Sequence, residues 1–270
     1  MKKISELESK LKPPKRKYKG LLIGLLVVVV YYWAISGTDT SITSFAQGIP
    51  YMADFVGRMF PPDISNLGTF LLKAVETLQM AIVGSTIGAI IAFPLSFLAA
   101  RNIMPNKFVY HITRTLFDIC RGINEIVWGL IFVSMVGLGP FPGVLALSAH
   151  VTGALGRYFS ESIETVDPDV IKAIISTGAN KIQMIIRGII PQVKPLFINY
   201  MLYYLENNFR AATVLGLVGA GGIGMELLTS MRLFKSQEVL TILIIMVVMV
   251  TIIDRISAYI RKRVIHGENL

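Results

Sequence analysis

Three groups of residues in this chain have types and spacings that suggest chemistry. Gly219-Ala220-Gly221-Gly222-Ile223-Gly224 spells G-x-G-x-x-G, the glycine pattern that cradles a pyrophosphate when it joins a strand to a helix in a parallel-sheet fold. Glu206, Asn207, Asn208 and Arg210 interrupt one apolar run, and Asn124 with Glu125 interrupts another. Polar groups in such surroundings serve a protein interior or an aqueous passage. An arginine fork grips an oxyanion and asparagine amides supply neutral donors, so this set suits the passage of an anion. It suits equally a structural tie, with Glu125 or Glu206 pairing with Arg210 or Arg121. His111, His150 and His266 share no metal-ligand spacing, and His150, beside Ser148 and Thr152, is expected to serve helix packing. Asp167 and Glu164 are expected to cap and solvate a loop. No nucleophile–base pattern occurs, so no catalytic residue, bound cofactor or metal site is expected.

Composition decides which elements hold these residues. Of 270 residues, 53% are hydrophobic and 16% charged, and the mean hydropathy is +0.62, which leaves too little polar surface for a soluble globule. The formal net charge of +9 comes from basic residues at the two ends and beside apolar runs, the placement of a membrane protein rather than a nucleic-acid-binding one. A nucleotide fold needs a soluble sheet, so the glycine run is expected to bend the chain at the outer end of a membrane span instead. Gly219, Gly221, Gly222 and Gly224 are then the flexible hinge of an outer gate, where two subunits approach closely. Cys120, the single cysteine, is expected to pack in the core.

In chain order, residues 1–19 form a basic N-terminal segment and 20–36 a first span ending in the interfacial aromatics Tyr31, Tyr32 and Trp33. Residues 37–70 form an extracytoplasmic connector with a surface helix broken at Pro50. A core over 71–258 supplies five further spans, expected at Leu71–Ala100, about Phe108–Leu138, Val144–Phe159, Leu196–Val218 and Val239–Ile256. A basic tail, 259–270, closes the chain. The expected fold is an all-α membrane protein with six transmembrane helices and both termini in the cytoplasm.

One polar stretch, residues 160–195, separates two of these spans on the cytoplasmic side. Asp167-Pro168 reads as an N-cap and first helical residue. Ile171, Ile174 and Ile175 share a face, and Gly178 ends the helix. A second amphipathic helix runs from Asn180 and is limited by Pro191 and Pro195. Two short helices joined at a glycine and fixed to spans at both ends make a lever.

Ala173, Gly178, Ile190 and Pro191 occupy the spacing of the cytoplasmic loop of ABC importer permeases, with Lys172 where that family usually has Glu and Ile174 where it has a second Ala. Arg210–Gly224 and Asn124–Gly143 more narrowly resemble phosphonate-type permeases. The resemblance covers roughly residues 70–258. It implies the type I permease fold of the methionine-importer kind, in a prokaryotic inner or plasma membrane. It implies a homodimer enclosing a path and two ABC ATPase subunits docked through Asp167, Lys172, Ala173, Gly178, Ala179 and Pro191. ATP and Mg would be held by those partners, and an extracytoplasmic solute-binding protein would deliver cargo. Asn124, Glu125, Asn207, Asn208 and Arg210 are then the candidate path residues, and phosphonate, phosphite or phosphate the cargo. A permease for another small solute such as an amino acid is the alternative. An ion-coupled secondary transporter would need paired inverted repeats, and a membrane-embedded enzyme a clustered His/Asp/Glu set; neither is found.

Overall fold

The computed structural model describes residues 17–38 and 41–266, and no strand occurs among them. Residues 1–16 of the basic N-terminal segment and 267–270 of the basic tail lie outside the described residues. The chain divides into two units, residues 1–57 and 58–270.

The first unit holds α1 (Lys17–Gly37) and all but the last residue of α2 (Ile42–Arg58). Helix α1 exposes Leu22, Val28, Tyr32 and Trp33 around its circumference; a helix apolar on every side is stabilised by lipid rather than water. Helix α2 is not broken at Pro50 as expected but runs through it. A proline removes only its own backbone donor, and the turns on either side hold.

The second unit is built from α3 (Leu67–Leu98), α4 (Lys107–Gly122), α5 (Glu125–Val136), α6 (Pro140–Glu164) and α7 (Pro168–Ser176). There follow α8 (Lys181–Met184), a π-helical turn at Ile185–Ile189, α9 (Ile190–Leu215), a 3-10 turn at Gly216–Val218, α10 (Gly222–Arg232) and α11 (Ser236–His266). Helix α6 is the hub, packed on α3, α4, α5 and α9. Lipid tails are as apolar as leucine, so close helix contact in a bilayer depends on small residues that let backbones approach. Gly84 and Gly88, one turn apart on α3, meet this need. A Cβ at either would lie 2.7 Å from Leu147 or Val151 of α6.

Among the described residues, three helices qualify as spans by length and apolarity, or five if each of two bent pairs is one span. Helix α6, with 25 residues, is long enough to cross but does not qualify by composition. Its Ser148, Thr152, Ser160 and Ser162 are buried against protein, which removes the need for an apolar surface.

Two expected boundaries change. The single helix expected from Phe108 to Leu138 is α4 and α5, bent by 90° at Ile123–Asn124. Both break residues are extended, and the Asn124 side chain accepts the Ile126 N–H to start α5. Asparagine favours this cap over a place inside a helix. Pro191 and Pro195 do not end the second helix of the polar stretch either. Upstream of Pro191 the backbone widens into the π-turn, where the Ile190 N–H reaches back to Ile185 O, and α9 continues through both prolines.

Candidate functional site

The α4–α5 break opens a polar cleft. A cavity of about 430 Å³ is lined by Asp118, Arg121 and Gly122 of α4, His150, Ala154 and Arg157 of α6, and Tyr204 of α9. Irregular backbone at membrane depth is tolerated where it lines a cavity or is covered by protein. Here the carbonyls freed by the break are taken up by side chains. The Trp128 indole N–H donates to Cys120 O at 3.1 Å, and His150 Nδ1 lies 3.3 Å from Ile123 O. A carbonyl only accepts, so Nδ1 carries the ring proton. Glu125, in the first turn of α5, lies 3.9 Å from the same nitrogen. Arg121 Nε donates to Asp118 Oδ1 at 3.2 Å, Arg157 Nη1 lies 3.9 Å from Asp118 Oδ2, and Arg157 Nε donates to Glu161 at 2.6 Å.

Helix α4 approaches α6 closely enough for this only because α6 lacks side chains there. A Cβ on Gly153 would fall 2.5 Å from Arg121 N and 2.6 Å from Phe117 O, and one on Gly156 would strike the Phe117 ring. None of the seven lining residues was among the path groups expected from sequence, which took His150 for a packing residue; of the expected groups, Asn124 lies at the break and Glu125 beside His150. One local signal was available. The run Arg121-Gly122-Ile123-Asn124-Glu125 carries a helix stop, an N-cap and a first-turn acid.

The other predicted path residues lie along α9 and are engaged elsewhere. Asn208 is buried at 1% exposure, and its amide donates to Ser85 Oγ at 2.7 Å, joining α9 to the small-residue stripe of α3. Arg210 pairs with Glu206 on its own helix and lies 3.6 Å from Asp254 of α11, while Arg261 lies 3.5 Å from Glu206. Two cations and two carboxylates thus knit α9 to α11. Asn207 is half-buried.

The glycine run after α9 is a fixed corner. Gly219, Gly221 and Gly222 all have positive φ, from 69° to 93°, which side-chain-bearing residues rarely adopt. The orphan amides at the start of α10 are satisfied from α3, Gly222 N–H by Glu76 at 3.0 Å and Ile223 N–H by Thr77 at 2.8 Å. Gly139 N–H bonds Gly219 O at 3.0 Å, so the turn before α6 is fastened to this corner. Close backbone approach occurs within the chain at this corner. A Cβ on Gly224 would lie 1.8 Å from Thr213 O.

The lever over residues 167–191 has the predicted helix–turn–helix form. Asp167 accepts the Asp169 N–H at 2.9 Å, Pro168 opens α7, and Gly178 turns the chain at φ +80°. Asn180 and Gln183 form a reciprocal capping box. Ile171, Ile174 and Ile185 pack against the core around Met184 and Ile189, with the Ile174 side chain seated over Gly188. Ile175, Ile182 and Ile186 are more than half exposed, and Lys172, Ala173, Lys181 and Pro191 are exposed as well, whereas Ala179 is half-buried. Glu164, expected to cap or solvate, instead clamps the root of the lever. One oxygen accepts the Arg101 N–H at 2.8 Å and the other lies 2.9 Å from Arg114, whose Nε donates to Ala99 O at 3.0 Å. A hydrogen bond to the Tyr110 hydroxyl raises the Arg101 pKa above its ordinary value. No group of His, Cys, Asp and Glu that could hold a metal occurs among the described residues.

This arrangement agrees with what related proteins show. The chain is 39% identical to the phosphite transport system permease protein PtxC of Stutzerimonas stutzeri over 236 residues, 87% of this chain and 85% of that one. It is 35% identical to the phosphate-import permease protein PhnE of Mycolicibacterium smegmatis over 234 residues, 87% of this chain but 43% of that longer one. Among solved structures, an inward-facing form of the MetNI methionine ABC transporter superposes with a TM-score of 0.67 at 21% identity, covering 75% of this chain and 99% of the other. That likeness shows the type I permease fold expected from sequence. Residues 92–266 match the family described as binding-protein-dependent transport system inner membrane component, and the chain belongs to that family of ABC transporter permeases.

Proposed function

We propose that this chain forms the path of an ATP-driven importer of phosphorus oxyanions, with phosphonate, phosphite and phosphate as the cargo class. The similarity to PtxC over most of both chains is the observation that carries this reading. Two copies enclose the path on a two-fold axis. The termini and the lever over 167–191 lie in the cytoplasm, where each lever docks one ATPase subunit. The exposed Ile175, Ile182 and Ile186, beside Lys172 and Lys181, supply the apolar-and-basic surface for that contact. ATP and Mg belong to the ATPases. Their closure moves the levers, and the Glu164 clamp passes the motion to the α3–α4 turn. A solute-binding protein outside delivers cargo near residues 139–143 and 219–235. Asn124, Glu125 and Asn207 face the path, while Asn208 and Arg210 hold the helices that frame it. The glycines from 219 to 224 set the corner of the outer gate.

Expression with its adjoining transport genes in a strain unable to take up phosphite tests this reading. Phosphite accumulation that requires the binding protein and the ATPase is expected. Uptake of an amino acid, with none of any phosphorus oxyanion, would overturn it.

A further inference from the structure

The cleft at the α4–α5 break holds two cations and one anion, and their geometry is unusual. Asp118 offers Oδ1 to Arg121 at 3.2 Å and Oδ2 to Arg157 at 3.9 Å, so two guanidiniums from different helices converge on one small oxyanion. The contacts are long, and Asp118 and Arg121 are nearly half exposed, at 49% and 45%. By contrast, Arg157 meets Glu161 at 2.6 Å and the lever clamp closes at 2.9 Å. Long, solvent-accessible ion pairs are weak and readily exchanged. Asp118 lies near the C-terminal end of α4, shortly before the break at Ile123–Asn124. Broken helices that line a cavity are where transporters meet their ions.

We propose that Asp118 is an internal counter-anion standing in for the cargo: a phosphorus oxyanion in transit exchanges with its carboxylate between Arg121 and Arg157. The inference rests on the phosphorus-oxyanion reading above. A cavity of about 430 Å³ admits such an ion. Asp118 gives each guanidinium a single oxygen, whereas a tetrahedral oxyanion has three or four and can fill more of each fork. His150 gives Nδ1 to Ile123 O and keeps Nε2 for the cleft, where it accepts from a protonated oxygen of the cargo. The carboxylate also has a kinetic role. Without Asp118, Arg121 would be unopposed and Arg157 would keep only Glu161, so an oxyanion would be held longer, and a path must bind loosely enough to release. Asp118 competes with the cargo and keeps its stay short.

The test is phosphite binding to the purified full chain, with its ATPase partners, in lipid nanodiscs. Asp118→Asn is expected to bind sodium phosphite at least tenfold more tightly than wild type while its uptake in cells slows. Arg121→Gln and Arg157→Gln are expected to bind at least tenfold more weakly, and Asp118→Glu to stay near wild type. Equal or weaker binding by Asp118→Asn overturns the inference, as does unchanged binding by both arginine variants. Should Asp118→Asn not accumulate, Asp118→Ser carries the same comparison. The unaltered chain gives a second measurement. Phosphite should protect Arg121 and Arg157 from phenylglyoxal severalfold by mass spectrometry, and equal modification with and without phosphite overturns the proposal. Absence of phosphite uptake by the wild-type system would instead refute the cargo class. Uptake with unaltered Asp118→Asn affinity refutes only the exchange.

Discussion

Replacing Gly153 by alanine tests the packing that forms the cleft. The added methyl would lie 2.5 Å from Arg121 N, 2.6 Å from Phe117 O and 2.7 Å from the Cys120 Cβ. Ordinary carbon contacts begin near 3.5 Å, so α4 must move off α6 by about 1 Å. Two of the three obstructing atoms are backbone, which cannot rotate aside, and Gly156 already seats the Phe117 ring one turn on. Overpacking of this kind costs about 1–3 kcal/mol. At roughly 2–4 °C per kcal/mol for a chain of this size, melting should fall by about 3–10 °C. The same movement lengthens the 3.9 Å separation of Asp118 and Arg157, so uptake should fall too. Thermal unfolding of the purified complex, with transport measured on the same preparations, reads both effects. Gly68→Ala is the matched control. Nothing lies within 4 Å of its Cβ, and its stability should be unchanged or gain up to about 1 kcal/mol. If Gly153→Ala melts with wild type, or Gly68→Ala loses as much, close helix approach at Gly153 does not form the cleft.

Three further outcomes are expected. Glu164→Gln removes the charge opposite Arg114, which keeps its bond to Ala99 O and its place over the Tyr110 ring, costing about 1–2 kcal/mol after allowance for partial exposure; amide exchange across residues 99–106 should rise, and unchanged exchange counts against the clamp. Gly178→Pro removes the Gly178 N–H bond to Ile175 O and demands a negative φ where the backbone has +80°, so ATPase co-purification should be lost; normal co-purification with normal uptake would detach the lever from coupling. Hydrogen bonds from the Ser65 hydroxyl and N–H hold the Asp63 carboxyl below its ordinary 3.8, so its contribution is present above that value and lost only as pH falls through the lowered folded one. Ser65 amide protection should therefore persist down to about pH 4 and vanish on further acidification in wild type. Asp63→Asn should lack this dependence, and loss of wild-type protection at a higher pH would contradict the assignment.

The lever was legible because its punctuation is local. Asp167-Pro168 starts it, Gly178 turns it and Asn180 restarts it, and each acts within three residues. The α4–α5 break was not read although Arg121-Gly122 and Asn124-Glu125 mark a stop and a start, because the apolar runs on either side add up to one span's length and periodicity carries no mark of a change in direction. Pro50 and Pro191 misled for the opposite reason. They look like stops, yet a helix can widen or lose one bond and continue. The cleft gathers residues 118, 121, 150, 157 and 204 from three helices, a grouping no spacing within one helix reveals. The role of Arg210 depended on Asp254 and Arg261, which only tertiary packing brings to it. The glycine run announced a bend, but not that Glu76 and Thr77 would pin it.

The π-turn at Ile185–Ile189 places one surplus residue between the lever and α9. In a regular helix each residue advances the angular phase by about 100°. The azimuth at which α9 presents Asn207 and Tyr204, relative to the elbow at Gly178, is therefore set by this single extra position. Removing Gly188 would restore regular winding and turn that whole face by roughly a quarter of a revolution, with every side chain in the cleft otherwise intact.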